Sequence, residues 1–404
     1  MEHSSFGTYP SRGELTSRIT RLQELLRQDR QDGALFFQNA DLIYLCGSTQ
    51  AETVFIPLEG EPLVLARPPL NRIRNETPLI ELDEMPSRPD LLNRLEKHTR
   101  KKITRLGLEF DVLPVAFYQR LREKTFPKID LTDASPLLRR VRTIKTDFEI
   151  EQMDIAARDL DSVFSRVPDY LAPGVTELEL ESQLIAMLRA NGHQGLIRGR
   201  NLNMELFFGH VLSGENGLVQ AKVDSPTGGA GVGPGFGQGA GVKRISAGEL
   251  VSIDLVGSHG GYLVDQTRLF GLGDLPETVH DTYGRLRELV DRLNEFIRPG
   301  IECGQVYARA FTLAREMNLD EGFMGLADDR CLFIGHGVGL ELDEWPVLGR
   351  GVKMILEPGM VFALEPRIFM PGVGVAGLED TYVLREAGPE PITVSNREII
   401  MARA

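Results

Sequence analysis

Two stretches of the sequence each combine acidic residues with the pattern of a β-hairpin. In the first, residues 251–269 (VSIDLVGSHGGYLVDQTRL), Asp254 and Asp265 flank the turn composition of residues 258–261. A turn centred there predicts that the two aspartates lie directly opposite each other. Facing carboxylates repel, so the arrangement indicates a cation between them. Two solvated aspartates on an exposed strand are the alternative, although the aliphatic neighbours predict burial.

The second stretch, residues 361–384, repeats this pattern. The segments VFALEPRIFM and VAGLEDTYVL flank residues 371–374, and a turn centred on Gly372 pairs Glu365 with Glu379. Between the two hairpins, His336 lies in GHGVGLELDEWP among glycines, which allow close backbone approach. Four carboxylates and one imidazole suit two divalent ions such as Mn²⁺, Co²⁺, Zn²⁺ or Fe²⁺. Their four negative charges also balance two such ions.

The acidic residues and the histidine, in this order and in these contexts, resemble the ligands of the pita-bread metallopeptidases. That superfamily includes methionine aminopeptidase, prolidase, aminopeptidase P and creatinase. The contexts are YLVDQTR, GHGVG, LEP and LED, and the five residues are Asp254, Asp265, His336, Glu365 and Glu379. The resemblance covers the C-terminal two-thirds of the chain strongly. The N-terminal third is similar to the creatinase/prolidase type in general pattern only.

The resemblance implies an α+β protein with two domains. Residues 143–404 would form a pita-bread domain, a curved antiparallel sheet covered by helices, and residues 1–142 a creatinase-like α/β domain. Asp254 would bind one metal ion, Asp265 and Glu379 would bridge both ions, and His336 with Glu365 would bind the other. The resemblance also implies Mn²⁺ as the foremost metal and a homodimer as the assembly.

Three substrate-facing positions depart from the family pattern. The family has a histidine seven residues after the metal-binding histidine, and this chain has Asp343 there. It has another histidine shortly after a Ser-Gly-x-Asn segment, whereas GLVQAK at residues 217–222 contains none. The family arginine two residues before the last glutamate is replaced by Gly377. The metal ligands therefore carry over more directly than the substrate contacts.

Three residues are candidates for substrate contacts in view of these departures. Arg367 is the predicted cross-strand partner of Gly377, so we expect its guanidinium to replace the missing arginine; an exposed arginine at a strand edge is the alternative. His210, in FFGHVLSG, is a candidate for the missing histidine or else a structural histidine. We expect Asp343 to give the substrate pocket a negatively charged wall that favours substrates with ammonium or guanidinium groups. The alternative is that Asp343 caps a local turn.

A glycine-rich stretch, residues 226–244 (PTGGAGVGPGFGQGAGVKR), precedes the first hairpin. It is not a phosphate-binding P-loop, because Lys243 is followed by a turn and a strand rather than by a Ser/Thr that opens a helix. The stretch is either a mobile loop or a lid or wall of the substrate channel.

Composition excludes several classes of function. A net charge of −13 argues against nucleic acid and anionic membranes as partners. The N-terminus has no apolar segment of a secretory signal, no apolar run reaches about 18 residues, and three scattered cysteines do not predict a disulfide framework. These features predict a cytoplasmic protein.

Three functions follow from these patterns. The first is hydrolysis of short peptides, as an Xaa-Pro aminopeptidase or dipeptidase, by a hydroxide between two metal ions, with Glu365 as the proton shuttle that the resemblance implies. The alternative is a creatinase-like or other non-peptidase reaction of a small molecule, which the replaced histidines favour. A binding module without activity is a third possibility, against which the complete ligand set argues.

Overall fold

The computed structural model describes residues 9–79, 81–221, 225–327 and 329–402. The chain divides into two compact units, Met1–Arg142 and Thr143–Ala404. Both contain helices and strands, so the predicted α+β class is confirmed. Within these ranges no helix has both the length and the apolar character that a membrane crossing requires. The α-helices are α1 (Arg12–Gln28), α2 (Asn39–Cys46), α3 (Asn71–Glu76), α4 (Leu91–Thr99), α5 (Val115–Arg120), α6 (Ser135–Thr143), α7 (Asp147–Phe164), α8 (Glu177–Ala190), α9 (Glu277–Phe296) and α10 (Cys303–Glu316).

The first unit is built on one mixed sheet of six strands in the order β4-β3-β2-β1-β5-β6. Two of these strands form a hairpin, with Phe55 opposite Leu63. Leucine and phenylalanine side chains of the sheet, α4 and the loops around them form its core. The strands are β1 (Gly33–Phe36), β2 (Thr53–Pro57), β3 (Leu63–Ala66), β4 (Leu82–Glu84), β5 (Arg105–Leu108) and β6 (Asp130–Asp133).

The second unit contains a four-stranded sheet (β17-β9-β8-β7), a five-stranded sheet (β11-β10-β12-β15-β16) and the pair β13-β14. Helices α9 and α10 pack their apolar faces on the strands in one large core. The strands are β7 (Gly209–Ser213), β8 (Leu250–His259), β9 (Tyr262–Leu272), β10 (Phe333–Gly337), β11 (Glu344–Gly349), β12 (Val361–Leu364), β13 (Arg367–Met370), β14 (Gly374–Gly377), β15 (Asp380–Arg385), β16 (Gly388–Pro391) and β17 (Ile400–Ala402).

The first predicted hairpin exists, but its predicted register is wrong. The turn consists of Gly260 and Gly261 alone, both with positive φ (57° and 91°), as a tight two-residue turn requires. Its centre lies one residue further along the chain than predicted, which shifts every partner by two. Asp254 is therefore opposite Thr267, and Asp265 is opposite Val256. Because side chains two apart share a face, the two aspartates still lie on the same side of the sheet.

The second hairpin has the predicted register. Leu364 pairs with Asp380 on one side of an interruption, and Arg367 pairs with Gly377 on the other. Both pairs have the same register, so Glu365 and Glu379 lie opposite each other at the interruption. Pro366, which has no N–H, stands in the gap, and its carbonyl accepts a hydrogen bond from Leu378 N at 3.3 Å. The gap leaves both glutamates at the point where the strands separate.

Helix α7 supports the first hairpin. Thr146 and Glu149 form a capping box at its start, as do Thr176 and Glu179 at α8. Gly257 of β8 lies so close to α7 that a Cβ atom there would be 2.8 Å from a helix carbonyl. The absence of a side chain at this position lets the helix hold β8 and β9 in place beneath the acidic residues.

Candidate metal centre

The five predicted ligands converge at one place in the second unit. Asp254 is on β8, Asp265 on β9, His336 on β10, and Glu365 and Glu379 face each other where the second hairpin opens. Ligand atoms of Asp265, His336 and Glu379 lie within 4.8 Å of one another, and all three residues are buried. Three donors so close and so shielded from water are suited to hold a metal ion.

The imidazole of His336 is oriented by its neighbours. Its Nδ1 lies 3.0 Å from Leu342 O and 3.3 Å from Asp343 Oδ1. This leaves Nε2 to face Asp265 Oδ2 at 3.8 Å and Glu365 Oε1 at 3.5 Å. Metal-binding histidines characteristically donate their other N–H to a carbonyl or carboxylate. Asp343 therefore lies against the histidine, and its carboxylate also borders the cavity above the site.

Arg367 is buried among the carboxylates, so the alternative of an exposed arginine is wrong. Its side chain is 1% exposed, and Nη2 lies 2.8 Å from Asp254 Oδ2, 2.9 Å from Glu379 Oε2 and 3.2 Å from Glu365 Oε2. The guanidinium extends over Gly377, where a Cβ atom would be 3.0 Å from Nη1. The absence of a side chain at Gly377 thus provides the space that Arg367 fills.

Several buried polar atoms of the site have no hydrogen-bond partner among the described residues: Glu365 Oε1, Arg367 Nε and Arg367 Nη1. Glu365 Oε1 is the one that faces His336 Nε2. A buried carboxylate oxygen without a donor is costly unless a cation or water completes its contacts. The side of the cluster next to His336 is therefore incomplete without a further group.

The electrostatics of the site favour positive charge. Burial raises the pKa of Asp265 and of Glu379 well above their ordinary values, and the neighbouring carboxylates raise it further. Burial lowers the pKa of His336, but Asp343, Glu365 and Glu379 outweigh that effect and raise it to about 9. In the absence of a metal ion, the cluster therefore favours protons.

A cavity of about 70 Å³ opens onto these carboxylates. Its walls include His210 and Asp343, and Pro226 and Gln238 contribute from the glycine-rich stretch. Backbone hydrogen bonds hold this stretch, among them Gly239 N to Gly228 O at 2.7 Å. Its position favours the prediction of a channel wall rather than that of a mobile loop.

His210 lies at the edge of the site. It is opposite Asp254 on the neighbouring strand, and its Nδ1 is 3.2 Å from Thr227 Oγ1. Burial lowers its pKa, and Arg367 lowers it further against the opposing effect of Asp254. The imidazole is therefore held neutral beside the carboxylates.

Thr267 is a site residue that the sequence analysis did not identify. Its Oγ1 donates to Glu379 Oε2 at 2.8 Å and it forms an isolated bridge with Glu379. Thr267 lies two residues after Asp265 on the same strand, so both side chains lie on the same face of the sheet. This spacing could have identified Thr267 from the sequence. Thr267 fixes one oxygen of the last glutamate.

Known proteins resemble this chain along most of its length. A model of metallopeptidase family M24 matches residues 151–386, and a model of the creatinase/prolidase N-terminal domain matches residues 18–144. The probable dipeptidase PepE of Mycobacterium tuberculosis is 30% identical over 269 residues, which are 66% of this chain and 63% of that protein. The Xaa-Pro dipeptidase of Pyrococcus horikoshii is 25% identical over 391 residues, 96% of this chain and 99% of that protein.

Solved structures show the same fold. The Xaa-Pro dipeptidase from Bacillus anthracis has a TM-score of 0.80 at 24% identity and covers 96% of this chain and 99% of its own. The prolidase from Pyrococcus horikoshii has a TM-score of 0.77 at 23% identity, with 95% and 100% covered. The architecture is therefore a pita-bread domain preceded by a creatinase-type α/β domain.

The matched M24 model implies a centre of two divalent metal ions. One position fits the residues present, because His336, Asp265, Glu379 and the unpartnered Glu365 Oε1 surround it. The other position, which the resemblance assigns to Asp254 with Asp265 and Glu379 as bridging ligands, does not fit, because Arg367 Nη2 bonds an oxygen of Asp254 and an oxygen of Glu379.

Proposed function

Because the chain belongs to metallopeptidase family M24, we propose that it is a metal-dependent hydrolase of short peptides, of the Xaa-Pro dipeptidase or aminopeptidase type. The observation that supports this most is the buried set of Asp265, His336 and Glu379 with Glu365 Oε1 unpartnered beside it. Relatives that align over nearly the whole chain are named Xaa-Pro dipeptidases, which supports the substrate class.

In this proposal His336, Asp265, Glu365 and Glu379 hold a divalent metal ion. Three carboxylates and one imidazole suit Mn²⁺, with Co²⁺, Zn²⁺ or Fe²⁺ as alternatives. When bound, such an ion supplies Lewis acidity, which lowers the pKa of a water molecule toward neutrality and polarises a substrate carbonyl.

The side chains around the ion prepare the proton transfers. Glu365 accepts the proton of the attacking water on Oε1, which has no protein donor, and later delivers it to the leaving amine. Its Oε2 is held by Arg367 at 3.2 Å, so the carboxylate keeps one orientation through the reaction. Burial raises the pKa of Glu365, against the lowering effects of Arg367 and His336.

Substrate contacts come from the cavity walls. His210 is neutral and can donate a hydrogen bond to a substrate carbonyl, while the segment with Pro226 and Gln238 limits the size of the bound molecule. A short peptide fits an enclosed cavity of this kind better than a long polypeptide does. A homodimer and a cytoplasmic location stay predictions, and light scattering of the purified protein tests the first of these.

A second candidate is hydrolysis of a C–N bond in a cationic small molecule, as in the creatinase-like use of this scaffold. The carboxylate of Asp343 borders the cavity at a position where the family pattern has histidine. A guanidinium or ammonium group would be attracted to this carboxylate.

One panel of substrates separates these candidates. Purified protein is stripped of metal, reloaded with Mn²⁺, and assayed against Xaa-Pro dipeptides, Xaa-Pro tripeptides, matched Xaa-Ala peptides and guanidino compounds. We expect turnover of the Xaa-Pro peptides that depends on Mn²⁺ and is absent in Asp265→Asn. Turnover of guanidino compounds alone would favour the second candidate, and no turnover of any compound would contradict both.

A further inference from the structure

The carboxylate cluster has two sides with different occupants. On the Arg367 side, Asp254 Oδ2, Glu365 Oε2 and Glu379 Oε2 surround the guanidinium. On the His336 side, Nε2 faces Asp265 Oδ2 and the unpartnered Glu365 Oε1. Glu365 thus directs one oxygen to each side, and only the Arg367 side holds a side chain that stays charged at every relevant pH, because an imidazole can give up its proton.

The Arg367 side already holds a cation. Nη2 lies 2.8–3.2 Å from the three oxygen atoms, which are hydrogen-bond distances to a charged donor. Divalent ions bind carboxylate oxygen at about 2.0–2.2 Å. An ion bound to the same three oxygens would have to displace Nη2, and it would face a guanidinium that stays protonated at every relevant pH.

Arg367 cannot leave this position easily. Its side chain is 1% exposed and lies over Gly377, and its backbone pairs with that residue on β14. Its carbonyl also accepts a hydrogen bond from Met324 N at 2.9 Å. Moving the guanidinium out would leave three buried carboxylates without a partner.

The His336 side has the opposite character. It offers an imidazole nitrogen turned inward by Leu342 O and a carboxylate oxygen with no donor, together with Asp265 and Glu379. Neither Asp254 nor Glu365 belongs to the group of donor atoms that lie within 4.8 Å of one another in the described chain. Glu365 Oε1 nevertheless faces His336 Nε2 at 3.5 Å, whereas Asp254 Oδ2 is bonded to Arg367 at 2.8 Å.

We propose that the guanidinium of Arg367 takes the place of one of the two metal ions, so that this protein binds a single divalent ion. Asp265, His336, Glu365 and Glu379 hold that ion, and Asp254 serves as the counter-ion of Arg367 rather than as a metal ligand. The inference concerns metal stoichiometry in the absence of substrate. Its outcome is therefore distinguishable from that of the proposed function.

The first test counts the ions. Metal-free protein is titrated with Mn²⁺ by calorimetry, and its spectrum is recorded by electron paramagnetic resonance. We expect one equivalent per chain and the six-line signal of an isolated ion. Two equivalents with the coupled signal of ions about 3.5–4 Å apart would overturn the proposal.

Matched aspartate variants identify the ligand. Asp254→Asn and Asp265→Asn make the same chemical change on the two sides of the cluster. We expect Asp265→Asn to weaken Mn²⁺ binding by at least about 100-fold and Asp254→Asn by less than about 10-fold. Equal losses in the two variants would identify Asp254 as a metal ligand and overturn the proposal.

Changing the arginine tests its place directly. Arg367→Met keeps a long side chain without charge, and we expect it to bind a second equivalent of Mn²⁺, whereas Arg367→Lys keeps the charge and should bind one. Circular dichroism verifies that both variants are folded. A folded Arg367→Met protein that still binds one equivalent would contradict the proposal. If Arg367→Met does not fold, the metal stoichiometry of the wild-type protein and the two aspartate variants still test the proposal.

Discussion

Two buried arginines contact Glu379, and their surroundings differ. Arg268 of β9 bonds its backbone carbonyl, and Arg367 of β13 bonds its carboxylate. Arg268 donates to Asp380 Oδ1 and to the carbonyls of Thr267, Glu379 and Ser395. Asp380 is further bonded by side chains from three other positions, Gln266, Thr393 and Arg397.

Arg367, in contrast, uses one nitrogen for three carboxylates and leaves Nε and Nη1 without partners among the described residues. The groups around Arg268, which we call the Arg268 face, form a completed network that joins β9 to β15. The groups around Arg367, the Arg367 face, keep an excess of negative charge. Completed polar networks hold a fold together, and incomplete ones are retained where a ligand supplies the missing charge.

The largest expected effect is on the incomplete face. Asp265→Asn removes a carboxylate whose pKa is raised by burial and by the neighbouring carboxylates. We expect a loss of activity of at least about 10³-fold, as for an essential catalytic group. The free energy of unfolding of the metal-free protein should rise, because one source of buried repulsion is gone. Steady-state assays and urea unfolding measure the two quantities. A variant that loses stability together with activity would contradict the contrast between the faces.

On the completed face the expected effect is on stability. Asp380→Asn keeps the shape but removes the charge beside Arg268 and Arg397, and we expect the free energy of unfolding to fall by about 3–5 kcal/mol. Metal affinity of the protein that remains folded should stay within a few-fold of wild type. Urea unfolding with parallel Mn²⁺ titration measures both. If Asp380→Asn alters metal affinity as strongly as Asp265→Asn does, the two faces are not independent.

The exchange of Arg367 and Gly377 can be tested by reversing it. Arg367→Gly leaves three carboxylates without their cation, and we expect activity to fall on the order of 10²-fold. Adding Gly377→Arg should restore part of it, because the new side chain starts directly across the strand pair. Activity on the best substrate is compared in the single and double variants. A double variant no better than the single one would argue against the exchange.

The orientation of His336 is expected to have a smaller effect. Asp343→Asn removes the carboxylate 3.3 Å from Nδ1, and we expect Mn²⁺ affinity to fall by about 10- to 100-fold, the usual effect of losing such a partner. The stoichiometry of binding should not change. Calorimetry measures both, and unchanged affinity would limit Asp343 to a role in substrate binding.

The smallest expected effect on activity and metal binding lies away from the metal site. Burial, and secondarily Glu177, raises the pKa of Glu181 to about 7. The folded state therefore binds a proton more tightly than the unfolded state, so stability falls as pH rises from about 4.5 to 7. Glu181→Gln should be more stable than wild type by about 3 kcal/mol at pH 8 and equal to it near pH 4. Thermal unfolding across this range measures the difference, and an unchanged pH profile would contradict it.

Much of this site was predictable because strand alternation and turn residues leave a clear pattern. The turn around Gly372 gave the register that places Glu365 opposite Glu379 and Arg367 opposite Gly377. In the first hairpin four small or polar residues allowed two turn positions, and the structure uses the tighter one at Gly260. The error in register did not change the face of the sheet on which Asp254 and Asp265 were predicted to lie, because it shifted each cross-strand partner by two residues.

Other features could not be predicted because they depend on contacts between distant segments. Apart from the neighbouring Thr267, the partners of Arg268 come from residues more than 100 positions further along the chain. The contact of Asp343 with His336 depends on how the chain bends after β10. Arg367 could be located on a strand, but the bonds of its Nη2 to Asp254 required the two hairpins to be brought together.

The most direct test of this account is a crystal structure of Mn²⁺-loaded protein with anomalous diffraction at the manganese edge. We expect one anomalous peak, bonded to Asp265, His336, Glu365 and Glu379, with Asp254 still paired to Arg367. Two peaks would contradict the single-ion inference while leaving a metal-dependent hydrolase in place. No peak, with the five predicted ligands pointing apart, would contradict the metal centre itself.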